Sequence, residues 1–121
     1  LVKIGATNEA IQILERIDPV KTPEMLLYLS HAYFAQWRYG DSVPLLQAYV
    51  ESHGLNDYQR ILGMLNLAAA YVHERRGEAA ANLLKQLLAE TKQLNLFTQQ
   101  GNAHELLAQL TIQKHQWREA E

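Results

Sequence analysis

Part of this chain repeats, and that constrains its fold more than any other feature. Leu29-Ser30-His31-Ala32-Tyr33 aligns with Leu67-Ala68-Ala69-Ala70-Tyr71 at an offset of 38 residues. The same offset of 38 lays Ser42 on Ala80 and Leu46 on Leu84. A further shift of 40 lays Leu67 on Leu107, Ala68 on Ala108, Gly77 on Trp117 and Ala80 on Ala120. A backward shift of 32 lays Ser42 on Ala10, Leu46 on Leu14 and Tyr49 on Ile17. Self-similarity at such a period marks units that cannot bury their apolar face alone and therefore stack.

The units read as helix pairs. Pro19, Pro23, Gly40, Gly54, Gly77 and Gly101 fall between long periodic segments. Runs that alternate Val, Ile or Thr between tight-turn dipeptides are missing, so strands have no support. Residues 8–17 place Ala10, Ile13, Leu14 and Ile17 on one face, with Thr7 as cap. Residues 23–36 follow, with Thr22-Pro23 as a start signal and Met25, Leu26, Leu29, Ala32 and Tyr33 as apolar face. Asp41 is the expected cap of the next helix, with Pro44 in its first turn and Val43, Leu45, Leu46 and Tyr49 as its apolar residues. Asp57 opens a helix to about residue 75 that is apolar nearly all round, so more than one face is expected to be buried. Residues 78–94 are amphipathic (Ala80, Leu83, Leu84, Leu87, Leu88, Thr91). A helix over about 98–114 carries Leu106, Leu107 and Leu110, and 117–121 reads as the first turn of one more. Short connections force antiparallel neighbours. The expected architecture is an all-α, antiparallel helix-pair solenoid in one domain over 1–121. It divides into a half-pair 1–18, pairs 23–54 and 57–94, and an incomplete pair 98–121.

The pattern resembles the tetratricopeptide family. Its first helix carries Leu, a small residue next and Tyr three further on; its second carries a small residue and a large apolar one four later. Leu29/Ser30/Tyr33 with Ser42/Leu46 match this, as do Leu67/Ala68/Tyr71 with Ala80/Leu84. The third unit offers Leu107/Ala108 with Ala120, and Thr111 replaces the tyrosine. "WRYGDSVPLL", "RRGEAAANLL" and "HQWREAE" resemble the family's turn and second-helix start. Small residues let two backbones approach, and large ones fill the space beside them. The spacings of 38 and 40 exceed the roughly 34 usual for the repeat. Longer repeats, and residues 69–121 in particular, look similar to the helical-repeat sensor region of large bacterial ATP-dependent transcriptional activators of the LuxR type. These resemblances imply a protein-interaction or scaffold module that binds a peptide or protein in its concave groove, and a sensor segment of such a regulator. The alternative they leave is a small-effector-binding or oligomerisation domain.

Composition narrows the function classes. The 121 residues carry 11 Lys+Arg against 13 Asp+Glu, a formal charge of −2, so the basic patch that nucleic-acid binding needs is missing. The chain has no cysteine, which excludes disulfides, thiolate metal sites and thiol catalysis, and fits a reducing cytoplasm. Its longest uncharged apolar stretch, about 67–72, is far short of the roughly 18 residues of a membrane span. The start at Leu1 and the end inside an apparent helix start read as a piece of a longer protein.

Catalytic and metal patterns are weak. No two of His31, His53, His73, His104 and His115 lie three or four residues apart, and His104-Glu105 lacks the second His of a zinc helix. Glu74/Glu78 and Glu119/Glu121 sit at turns or helix starts, where acids suit the helix dipole. Arg75 and Arg76 suit a helix C-terminus for the matching reason. Neither a metal nor a cofactor is expected, nor an enzyme; His31, His73 and Glu105 are the only titratable groove candidates.

In the family's arrangement the first helix of each pair lines the groove. This places Tyr28, His31 and Phe34 there, then Asn66, Ala69 and His73, then Glu105 and Gln109, with Leu27, Ala35, Leu65, Val72, Leu106 and Gln113 beside them. Asn66 and Gln109 are expected to bracket the backbone amides of an extended peptide. Tetratricopeptide domains that clamp chaperone C-terminal carboxylates use a Lys and an Asn on the first inner helix, an Asn on the second, and a Lys and an Arg on the third. Only Asn66 matches. Leu27, His31, Asn102 and Leu106 occupy the other positions, so a free carboxylate finds no cation. Stack ends expose apolar faces, so self-association through Leu1, Val2, Ile4 and the Trp117 region is expected.

Overall fold

The computed structural model describes residue 12 and residues 23–120, with side chains as far as Gln116. The helix expected over 8–17 (Gln12 apart), the Thr7 and Thr22 caps, the apolar Leu1, Val2 and Ile4, and the Trp117 side chain lie outside the described residues. Among those residues the chain is all-helical, with five helices and no strand.

Helix α1 spans Glu24–Ala35, α2 Tyr39–Val50, α3 Asp57–His73, α4 Gly77–Gln93 and α5 Phe97–Ala120. Each packs on its neighbours in sequence, and α3 also packs on α5. Three turns of three residues each (36–38, 74–76, 94–96) share one geometry. Their central residues, Trp37, Arg75 and Asn95, take φ of 61°, 57° and 57°. The amides of Arg38, Arg76 and Leu96 donate back to the carbonyls of Tyr33, Tyr71 and Thr91 at 2.9, 2.9 and 2.8 Å. This is the left-handed cap that satisfies the last carbonyls of a helix. A helix closed this way, followed after three residues by another packed against it, must fold back on it.

Sequence-equivalent residues take equivalent places. Leu29 and Leu67 are 7% and 6% exposed, Tyr33 and Tyr71 8% and 9%, and Ser30, Ala68, Ser42, Ala80, Leu46 and Leu84 all 0%. The Arg38 guanidinium lies 4.5 Å over the Tyr33 ring, and Arg76 lies 5.9 Å over Tyr71. The two buried serines donate to carbonyls of their own helices, Leu27 and Tyr39, both at 2.6 Å. They therefore fill alanine-sized space without an unsatisfied hydroxyl. The centre of the core is α3, with nine buried residues and packing against α2, α4 and α5.

Several local expectations shift. Helix α3 does open at Asp57, and its cap is Asn56, whose side chain accepts from the Gln59 backbone amide at 2.8 Å while the Gln59 side chain accepts from the Asn56 backbone amide at 3.0 Å, a capping box. Helix α2 begins at Tyr39, before Asp41, which instead forms an ion pair with Arg38 at 2.7 Å. Pro44 is thus in the second turn and not the first. Its ring faces the carbonyl of Gly40, and its missing N–H removes one bond to it. Helix α5 runs unbroken to Ala120, with no break near residues 114–117. The turns at 36–38 and 74–76 also lack Gly, Asn and Pro, but each is followed by a helix that packs back on the one before; among the described residues no helix follows α5.

Candidate interaction surface

Apart from Tyr28, the expected groove residues fall into two clusters, joined by one face of α3. The first cluster is a cleft of about 350 Å³ between α3 and α5, lined by Leu62, Leu65, Asn66, Asn102, Glu105, Leu106 and Gln109. It brings together three of the expected site residues: Asn66, Glu105 and Gln109. Leu62, Leu65 and Leu106 supply its apolar part. Asn66, Asn102 and Gln109 supply three carboxamides, each able to donate and accept. Glu105 is its only ionisable group. The half-buried Asn66 is steadied by a bond from its Nδ2 to the Leu62 carbonyl at 2.8 Å, one turn back.

The second cluster is a chain of rings. His31 and Phe34 on α1 lie 6.5 Å apart, and Phe34 meets Tyr39 of α2 at 5.1 Å. Tyr39 stacks on His73 at 4.2 Å, with 10° between the ring planes. Trp37, 79% exposed, meets Tyr39 edge-on at 6.2 Å. The cluster therefore joins His31, Phe34 and His73, again three of the expected residues, and adds Tyr39 and Trp37. Offset edge and stacked pairs of this kind each contribute about 1 kcal/mol beyond area burial.

Asn66, Ala69 and His73 follow one another at helical spacings of three and four, so they share a face of α3. Half-buried Ala69 lies between the cleft and the rings and leaves that face flat. Tyr28 belongs to neither cluster. It is 52% exposed on α1, close enough to Tyr49 to help raise its pKa, together with burial, the larger cause, and Glu24. Two flanking expectations are corrected. Val72 is 1% exposed and belongs to the core, and the Gln113 amide is used internally, donating to the Val72 carbonyl at 3.2 Å. That bond holds α5 on α3 beside the cleft.

Tyr39, Trp37 and Asn102 were not among the sequence candidates. Tyr39 and Trp37 sit in what reads as a linker, and at an offset of 38 Tyr39 falls on Gly77, so the repeat carries no sign of it. In the sequence Asn102 stands only at a clamp position that calls for a cation. Among the described residues no three His, Cys, Asp or Glu side chains group as metal ligands, and no helix is long and apolar enough to cross a membrane. The Glu74 carboxylate lies against Gly40, 3.2 Å from where a Cβ would stand, at the start of α2. There it faces the positive end of that helix. Known protein families, curated proteins and solved structures, compared with the chain, return no match.

Proposed function

We propose that this chain is a helical-repeat interaction module of tetratricopeptide-like build, which holds an extended peptide segment of a partner protein in the cleft between α3 and α5. The observation that carries the reading is the convergence of three carboxamides over leucine side chains in one open cleft. An extended peptide presents alternating N–H and C=O groups, and carboxamides pair with both. The leucines accept an apolar side chain, and the flat Ala69 face leads onward to the rings at His73. The solenoid part rests on the equal burial of residues 38 apart and on the recurring Arg–Tyr contact.

A catalytic reading has less support. Acid–base work needs titratable groups converging on one point, and the cleft offers Glu105 alone. A small effector is also the less favoured occupant, because Asn102, Glu105 and Gln109 are all exposed and leave the cleft open on that side. The sensor role in a LuxR-type bacterial regulator rests on the sequence resemblance alone, and a cytoplasmic place on that resemblance and the lack of cysteine.

The test is selection from a displayed peptide library, followed by calorimetry on the winners. Asn66→Ala and Gln109→Ala are expected to weaken binding at least tenfold with helicity unchanged, while Tyr28→Ala leaves it unaltered. Peptides that bind all three variants equally would remove the cleft from consideration.

A further inference from the structure

The turn at 36–38 carries a side chain that its geometry does not need. The two turns of the same build hold Arg75 and Asn95 at the left-handed position, so a polar residue serves there. Trp37 stands in that place with 79% of its surface exposed, and an indole left in water adds little to the fold. Its ring instead extends a row of rings drawn from three helices. Phe34 of α1 meets Tyr39 of α2 at 5.1 Å, Tyr39 stacks on His73 of α3 at 4.2 Å, and Trp37 meets Tyr39 at 6.2 Å. Phe34 and Tyr39 are half-buried, while Trp37 and His73 are exposed, so the row forms an open ledge.

Shape, charge and hydrogen bonding narrow what the ledge can hold. Rings that recognise a quaternary ammonium surround one point. These run in a line, and Tyr39 and His73 lie only 10° from parallel, which leaves no space for a cation between them. Rings also stack the bases of a single strand, but the phosphates then need cations. Arg38 is paired with Asp41 at 2.7 Å, and the Glu74 carboxylate lies against Gly40. Asp41 and Glu74 thus offset Arg38 and Arg75, and among the described residues no net positive charge flanks the ledge. An uncharged ligand with flat apolar faces fits it. Proline has such a face, and its backbone lacks an N–H and offers a carbonyl. The ledge carries the matching donors on the indole of Trp37, the phenol of Tyr39 and the imidazole of His73.

We propose that the ledge holds a proline-rich stretch of the partner peptide in the polyproline II conformation, continuous with the residues in the cleft. The register of the two parts rests on the cleft reading; the ring contact does not. Asn66 and His73 lie seven residues apart on α3, about 10 Å at the rise of a helix. One turn of polyproline II takes three residues and about 9 Å. A residue over Asn66 and a proline three positions along therefore face α3 on the same side. The segment is preformed in this conformation, so little ordering opposes its docking.

A ten-residue polyproline peptide tests the proposal. In a Trp117→Phe chain Trp37 is the only tryptophan, and its emission reports on the ledge. Polyproline is expected to shift that emission saturably to shorter wavelength, and a glycine–serine peptide of equal length is not. Trp37→Gly removes the indole at a φ of 61° that glycine adopts freely, so the fold is retained. By calorimetry it is expected to weaken polyproline binding about tenfold, as is His73→Ala, while His73→Phe keeps a ring and restores most of the affinity. Winners of a displayed library on the unaltered chain are expected to contain prolines, and winners on Trp37→Gly are not. No polyproline binding, binding that Trp37→Gly leaves unchanged, winners without proline, or an equal emission shift with oligothymidylate overturns the proposal. Asn66→Ala is expected to leave polyproline binding unchanged and to weaken only peptides that also enter the cleft, so failure of the cleft and failure of the ledge are read separately.

Discussion

Two glycines inside helices should respond to the same substitution with opposite sign. Replacing a helix-interior glycine by alanine stabilises an exposed helix by roughly 1 kcal/mol, since alanine loses less backbone entropy on folding. Gly101 on α5 has nothing within 4 Å of where its Cβ would stand, so Gly101→Ala should gain that full amount. Gly63 on α3 would place a Cβ 2.6 and 2.8 Å from two carbons of the Tyr49 ring and 3.1 Å from a Val50 methyl. Carbon atoms rest at about 3.5–4.0 Å, so the ring must retreat by roughly 1 Å. Tyr49 is 1% exposed and is enclosed by the core. Overpacking of this kind costs roughly 1–3 kcal/mol, and the propensity gain offsets part of it. Gly63→Ala should then be destabilising by about 1 kcal/mol net, some 2 kcal/mol below Gly101→Ala. Urea unfolding followed by circular dichroism at constant slope measures both. The repeat supplies a rescue. At offsets of 38 and 40 the counterparts of Tyr49 and Gly63 are Leu87 and Ala103, both 0% exposed, a smaller side chain paired with a larger one. Tyr49→Leu in the Gly63→Ala background should recover stability beyond the sum of the single changes. If Gly63→Ala proved as stable as Gly101→Ala, the close approach of α2 and α3 would be refuted.

Pro44→Ala should stabilise the chain by about 1–2 kcal/mol in the same urea assay, since it restores a bond to the Gly40 carbonyl in the second turn of α2. Arg60 and Glu90 join α3 to α4 at 2.8 Å with side chains 29% and 26% exposed, and the bond raises the Arg60 pKa. Glu90→Gln should cost about 1 kcal/mol in dilute buffer and less in concentrated salt, checked by unfolding at both. Burial, more than the nearby Glu24 and Tyr28, raises the Tyr49 pKa above 10.0, so the folded state favours the neutral phenol. That stability is complete below pH 10.0 and is lost as pH rises through the folded value. Tyr49→Phe should therefore move the midpoint of alkaline unfolding, followed by circular dichroism, upward.

The sequence carries the framework well and the surface poorly, for physical reasons. In the proposed helical-repeat reading, residues that bury against a neighbouring helix recur, because each unit would solve the same packing problem. Hence Leu29/Leu67, Ser30/Ala68 and Leu46/Leu84 pair by sequence alone. The start of α2 could not be read, because its strongest local signal, Asp41, is outweighed by packing. Tyr39 stacks on His73, and Ser42 needs helical geometry to reach its buried site. The unbroken α5 was hidden by the same logic run in reverse. The repeat implied a turn near residues 114–116, yet a turn of this kind is set by the helix that packs back after it, as at Trp37 and Arg75. Neither of those residues favours a left-handed backbone by itself.

The proposed cleft lies where the sequence alignment stops matching. At offsets of 38 and 40, Asn66 falls on Tyr28 and Leu106, Ala69 on His31 and Gln109, and His73 on Ala35 and Gln113. One helical register thus carries different chemistry in each unit. Framework exchanges should therefore be nearly silent. Ser30→Ala and Ser42→Ala copy the residues already present at positions 68 and 80. Each loses a hydroxyl bonded only within its own helix and gains alanine's propensity, so each should change stability by no more than about 0.5 kcal/mol. Surface exchanges at the same register should act on binding instead. Asn66→Tyr copies position 28 and leaves the register unchanged, yet it removes one of the three carboxamides from the cleft. It should abolish binding of a selected peptide while leaving the urea midpoint within the same narrow margin. A midpoint that falls with the binding would place Asn66 in the packing framework and deny it a recognition role.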